Sequence, residues 1–142
     1  MPKPPVEPIG LEVARTGRAL SRAFDDELAA AGGSLPVWLI LTSLKGGAHT
    51  MQRDLAAAVG IEGATLTHHL HRMEAAGYVT RRRTLEDRRS QVVELTDAGE
   101  ALFASLLGSV VGFDRRLRGD LTDDELAVLR GLLARLRAGV SR

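Results

Sequence analysis

Apolar positions along most of the chain recur at steps of three and four, the spacing of one face of a helix. Val13, Gly17, Leu20, Phe24 and Leu28 form the first such run, and Gly32 and Gly33 are its stop signals. Ser34 and Pro36 then lead into VWLILTSL, which is short and nearly all apolar. That run reads as a strand or a buried helix. A cap at Ser34 and closing glycines at Gly46 and Gly47 favour the helix. A third helix takes Thr50 as its cap, carries Met51, Leu55 and Val59 on one face and breaks at Gly60. A fourth is predicted over 61–76, with Leu66, Leu70 and Met73 turned inward.

Past Gly77 the period changes. YVTRRRT and QVVELT read as strands, the second with Val93 and Leu95 on one side, and the charged LEDRR makes the turn between them. Thr96 is placed to cap a fifth helix striped by Leu102, Leu106, Val110, Phe113 and Leu117. In a sixth, Thr122 and Glu125 form a capping box, and Leu126, Leu129, Leu133, Leu136 and Val140 repeat at heptad spacing. Arg135 and Arg137 sit in its last turns, where the helix dipole favours cations. The predicted class is mainly α with a small β-hairpin.

Length and composition narrow the function. A chain of 142 residues suits one domain, and a net charge of +1 gives no general attraction for polyanions. Basic character is local: from His68 to Arg89 there are six arginines, three histidines and only three acids. The absence of cysteine excludes disulfides, thiolate metal sites, thiol nucleophiles and thiol redox sensing. The proline-rich start has no apolar core of a signal peptide, and no apolar run approaches the roughly 20 residues of a membrane span. A cytoplasmic protein with no membrane partner is expected. No G-x-S-x-G elbow or phosphate-binding glycine loop is present, and Asp25, Asp26 and Glu27 diverge around a helix as a solvated face. No catalytic residue, metal or cofactor is expected.

The third and fourth helices meet at a glycine, with Ala56 small where they cross, Gly60 at the turn and Leu66 packed beyond it. That is the spacing of a helix-turn-helix, although helix-glycine-helix pairs also occur in bundles. At about 100° per residue, inward Leu66, Leu70 and Met73 leave Ala64, His68, His71 and Ala75 outward, flanked by Thr65, Thr67 and Arg72. Hydroxyls, imidazoles and small methyls on such a face suit base edges and phosphates in a major groove. A hairpin directly after this helix is a wing, and Arg82, Arg83, Arg88 and Arg89 near its tip would lie on the backbone or enter a minor groove. The bland alternative is a charged hairpin that blunts a sheet edge.

At this point the sequence resembles the MarR (multiple antibiotic resistance) winged helix-turn-helix regulators over nearly its whole length. The pattern Asp-x-Arg, then Leu-Thr and a glycine, is met by Asp87, Arg89, Leu95, Thr96 and Gly99, after LTHHLHRMEAAGYV. The resemblance implies a winged helix-turn-helix over 34–96 and a helical dimerisation region from 1–33 with 97–142. It also implies that Arg89 serves DNA binding and that Asp87 holds the shape of the wing. Members often carry arginine where this chain has His68, and Asp or Asn where it has His71. The function implied is that of a sequence-specific regulator of transcription. It would be a ligand-responsive repressor bound as a homodimer to a pseudo-palindromic operator in double-stranded DNA.

Other readings compete at single positions. His68 and His71, at i and i+3, could share a metal ion, but no carboxylate or thiolate stands with them, and His49 is alone in a loop. His69 lies about 60° off the buried face. It would border a ligand cleft or bond to backbone. Trp38, the single tryptophan, is core or stacks on a ligand. Together Trp38 and His69 suggest a small aromatic or lipophilic effector. A winged-helix protein-interaction module without specific DNA binding is the alternative function.

Overall fold

The computed structural model describes residues 2, 6–47, 51–84 and 91–141. The elements follow the predicted order: α1 (Ile9–Ala30), α2 (Leu35–Lys45), α3 (Gln52–Val59), α4 (Gly63–Ala75), β1 (Val79–Arg83), β2 (Gln91–Leu95), α5 (Asp97–Arg118) and α6 (Asp123–Val140). The ambiguous VWLILTSL is helical. Ser34 caps it by accepting a hydrogen bond from the Val37 amide at 3.3 Å, and Pro36 lies in its first turn, where a missing amide hydrogen costs nothing. The chain divides into two compact units, Met1–Val111 and Gly112–Arg142, with α5 running from the first into the second.

Within the first unit the core is built from α1, α2, α3, α4, the hairpin and the start of α5. Leu28, Ile40, Leu41, Leu55, Leu66, Leu70, Val79, Val93 and Leu106 are fully buried there. Burying each such side chain is worth about 1.5–3 kcal/mol. As the periodicity predicts, Leu66, Leu70 and Met73 are the buried residues of α4. The face of α1 behaves differently: Leu28 is buried, but Val13 and Leu20 are exposed.

α4 is shorter than the predicted 61–76. Gly60 adopts a left-handed φ of +79°, and the amides of both Gly60 and Ile61 turn back to the Ala56 carbonyl, at 2.9 and 3.3 Å. Those bonds close α3 and spend the next two residues on the turn, so helix resumes only after Glu62. Met51 is also not a member of the α3 face. Its extended backbone sits at the N-cap of α3 and pairs with Val92, adding a third short rung to the sheet. Thr50, the predicted cap, lies outside the described residues.

β1 and β2 are antiparallel, in a register that sets Val79 against Leu95 and Arg81 against Val93. Thr96 ties the hairpin to α5. Its hydroxyl donates to the Gly77 carbonyl and accepts from the Gly99 amide, while its own amide donates to the Tyr78 carbonyl at 3.1 Å. A Cβ at position 99 would collide with that same Tyr78 carbonyl oxygen, so the first turn of α5 can approach the hairpin only as glycine.

In the second unit Thr122 and Glu125 form the predicted capping box. No residue of α6 is buried; Val128, Leu129, Leu132, Leu136 and Val140 are all exposed in the single chain.

Candidate nucleic-acid interface

Each outward residue named on α4 is on the surface. Thr65, Thr67, His68, His71 and Arg72 are exposed, together with Ala64 and Ala75. The rings of His68 and His69 meet edge to face, 5.9 Å apart. Thr67 has a second commitment. Its hydroxyl donates to the Gly63 carbonyl at 2.9 Å and accepts from Gln52 Nε2 at 2.8 Å. Gln52 opens α3, so this bond pins the start of α4 against the preceding helix. Among the described residues, no group of three or more metal-ligating side chains occurs.

Of the three arginines of β1, only Arg81 is partly covered. Val79 is buried and Arg81 half-buried, while Thr80 and Arg82 are exposed. Arg82 leans across the hairpin to Glu94, with Nη2 at 3.0 Å from Oε1. Both groups are well exposed, so the pair contributes little and can exchange for a phosphate. Arg83 is exposed. Arg88, Arg89 and Asp87 lie outside the described residues, as does His49.

Arg81 is a residue that sequence reasoning did not single out. Its guanidinium donates to Glu74 Oε1 at 3.2 Å, and its backbone amide donates to Glu74 Oε2 at 3.0 Å. One carboxylate thus spans the last turn of α4 and the middle of β1. The Arg81 hydrogen bond holds the Glu74 carboxyl below the ordinary carboxylate range. The available signal was the alternation that sets Arg81 on the same side as Val79.

A cavity of about 430 Å³ opens beside α4, within the first unit. His69, Arg72 and Met73 supply one wall, Ser34, Pro36 and Val37 another, and Tyr78 and Leu102 complete the mixed polar and apolar lining. His69 is therefore placed where a ligand could meet it. Trp38 is set apart from this cavity, because its ring stacks on Phe103 with centroids 5.6 Å apart and planes 6° from parallel. Lys45 Nζ lies 5.8 Å from the Phe103 centroid and pairs with Glu100, so this cluster joins α2 to α5.

Two helices joined at a left-handed glycine, an outward polar face on the second, and an arginine-bearing hairpin after it define a winged helix-turn-helix. Residues 34–91 match the sequence model of the MarR family. An uncharacterized HTH-type transcriptional regulator of Bacillus subtilis, YdgJ, is 33% identical over 102 residues. That alignment covers 72% of this chain and 62% of YdgJ, so the match spans less than two thirds of the relative. The crystal structure of transcriptional regulator PA3341 is 30% identical, with a TM-score of 0.74 over 94% of this chain and 98% of that one. A mutant of MarR from E. coli, crystallised with operator DNA, superposes with a TM-score of 0.79 over 92% of this chain and 94% of that one. It is 24% identical and speaks to the fold alone. Residues 34–91 belong to the MarR family, and the relatives matched at 30% identity or more are transcription regulators.

Proposed function

We propose that this chain is itself a sequence-specific DNA-binding regulator of transcription, acting in the cytoplasm as a homodimeric, ligand-responsive repressor. One observation carries the reading: α4 turns Thr65, His68, His71 and Arg72 to the surface, and the strand that follows presents Arg82 and Arg83. The helix would enter a major groove, with His68 and His71 meeting base edges. The wing, including Arg88 and Arg89, would hold the flanking backbone. Asp87 would fix the shape of the turn. No single helix among the described residues is long and apolar enough to cross a membrane.

The dimer would form from 1–33 with 97–142, leaving 34–96 to DNA. Support comes from the apolar positions left exposed on α1, late α5 and α6, among them Leu20, Leu117, Leu129 and Leu136. The cavity beside α4 supports an effector. Its volume lies within the roughly 300–1,000 Å³ of small-molecule sites. A lining that sets Pro36, Val37, Met73 and Leu102 beside His69 and Arg72 favours an aromatic or lipophilic compound carrying an anionic group. Arg72 faces both cavity and groove side, so an occupant there would alter the DNA face of α4.

A gel-shift assay with the DNA upstream of the chain's own gene, against random competitor, tests the reading. A specific retarded complex is expected. A protein-docking module gives none, and its absence would overturn the proposal.

A further inference from the structure

We infer that Glu74 is a positioning residue for DNA binding: it clasps the wing to the recognition helix and so fixes the distance and angle between the two surfaces that meet DNA. The inference rests on the reading above, and assigns a role to a residue that does not itself face the groove.

The geometry has three parts. β1 is the outer strand of the hairpin: β2 pairs with it on one side, and Met51 pairs with β2 on the far side. The Arg81 amide donates not to β2 but to Glu74 Oε2, at 3.0 Å. A side chain of α4 therefore supplies the acceptor that a further strand would otherwise provide, and an exposed edge amide is satisfied. The second carboxylate oxygen takes the Arg81 guanidinium at 3.2 Å. The two side chains differ in exposure, 13% for Arg81 against 39% for Glu74, so this pair is better shielded than the open Arg82–Glu94 pair at 65% and 52%.

The third part is what stands on either side of the clasp. Glu74 follows His71 and Arg72 by one short turn, and Arg81 precedes Arg82 and Arg83. Between them the chain turns at Gly77, whose φ of +85° closes α4 and leads into the hairpin, so the clasp is a side-chain tie across that turn. Without the carboxylate, the outer edge of the hairpin loses its bond to α4. The wing then keeps its fold through β2 and Thr96 but not its fixed aim. In wild type the two DNA-facing elements move as one, and the wing meets phosphates without first having to be ordered at the moment of binding.

Charge alone predicts the opposite outcome, and this makes the idea testable. Glu74 puts a negative group near DNA, so its removal should strengthen binding if only electrostatics matters. A clasp predicts weakening. The experiment is a salt titration of full-length wild type, Glu74→Gln, Glu74→Ala, Arg83→Ala and the double variant Glu74→Ala with Arg83→Ala. The probe is the labelled duplex retarded in the gel-shift assay. Circular dichroism melts verify that each variant is folded at the assay temperature.

The expected result is that Glu74→Ala lowers affinity about tenfold. The slope of log affinity against log salt should become shallower by about one for each phosphate the wing no longer neutralises. Glu74→Gln keeps an acceptor for the Arg81 amide and should fall between Glu74→Ala and wild type. Arg83→Ala should cost much less in the Glu74→Ala background than in wild type, because an unaimed wing no longer brings Arg83 to its phosphate. Unchanged or increased affinity in folded Glu74→Ala overturns the clasp, as does strict additivity with Arg83→Ala. If wild type retards no duplex, the regulator reading itself fails, a different outcome from either.

Discussion

Gly99 is a residue whose identity follows from one close approach. The Tyr78 carbonyl occupies the place of its missing side chain, and the Thr96 amide donates to that same oxygen. Gly99→Ala must therefore push α5 away from the hairpin. It should cost about 1–3 kcal/mol, in the range of other overpacked sites. A urea melt should give a lower midpoint with an unchanged slope. His68 presents the opposite situation, exposed on α4 with its ring against His69. If it reads bases, His68→Ala should relax discrimination among operator variants by about 1–3 kcal/mol for each base it pairs with, with stability unchanged. A binding series across single-base variants measures this, and an unaltered ranking would remove His68 from the readout. Thr67 stands between the two cases, since Gln52 and the Gly63 carbonyl already engage its hydroxyl.

At the scale of elements, what was legible in the sequence was what is local. Caps at Ser34, Thr96 and Thr122 need only a hydroxyl within three residues of the amide it serves, so they could be read before any fold was known. The face of α4 was legible for the same reason, since its buried set is the one its spacing predicts, whereas Val13 and Leu20 on the predicted face of α1 are exposed. Pairings across the fold were not. Nothing in the string says that Met51 leaves its helix to pair with Val92, or that Gln52 reaches Thr67. Nor does it say that Trp38 finds Phe103 rather than the cavity. The Glu74–Arg81 clasp is such a pairing, and it carries a pH signature. The Glu74 carboxyl titrates below its ordinary range in the folded chain, so the unfolded chain takes up its proton first as pH falls. Its stabilising contribution is complete above the ordinary glutamate range near pH ~4.3 and is lost as pH falls through the lowered folded value. Wild type should therefore be more stable than Glu74→Gln at neutral pH, and the two should converge in acid. Urea midpoints for both proteins between neutrality and about pH 3 check this, and a constant gap would contradict it.

For the molecule as a whole, the apolar positions left in water predict an obligate homodimer. Leu129 and Leu136 are 43% and 41% exposed in the single chain, on a helix with no buried residue. Obligate interfaces of this kind commonly bury more than about 2,000 Å². Replacing both leucines with aspartate should abolish the folded dimer, seen as loss of the dimer boundary in sedimentation. A well-folded wild-type monomer at micromolar concentration would contradict the assignment. A two-fold homodimer would demand two-fold symmetry in its DNA site, which is the proposed function in its most direct form. The measurement is selection of bound duplexes from a random pool by the full-length protein, followed by sequencing. The expected result is an inverted repeat whose half-site centres lie about one helical turn apart, roughly 34–36 Å. A pool that stays random after repeated rounds, or that converges on a single asymmetric half-site, would contradict it.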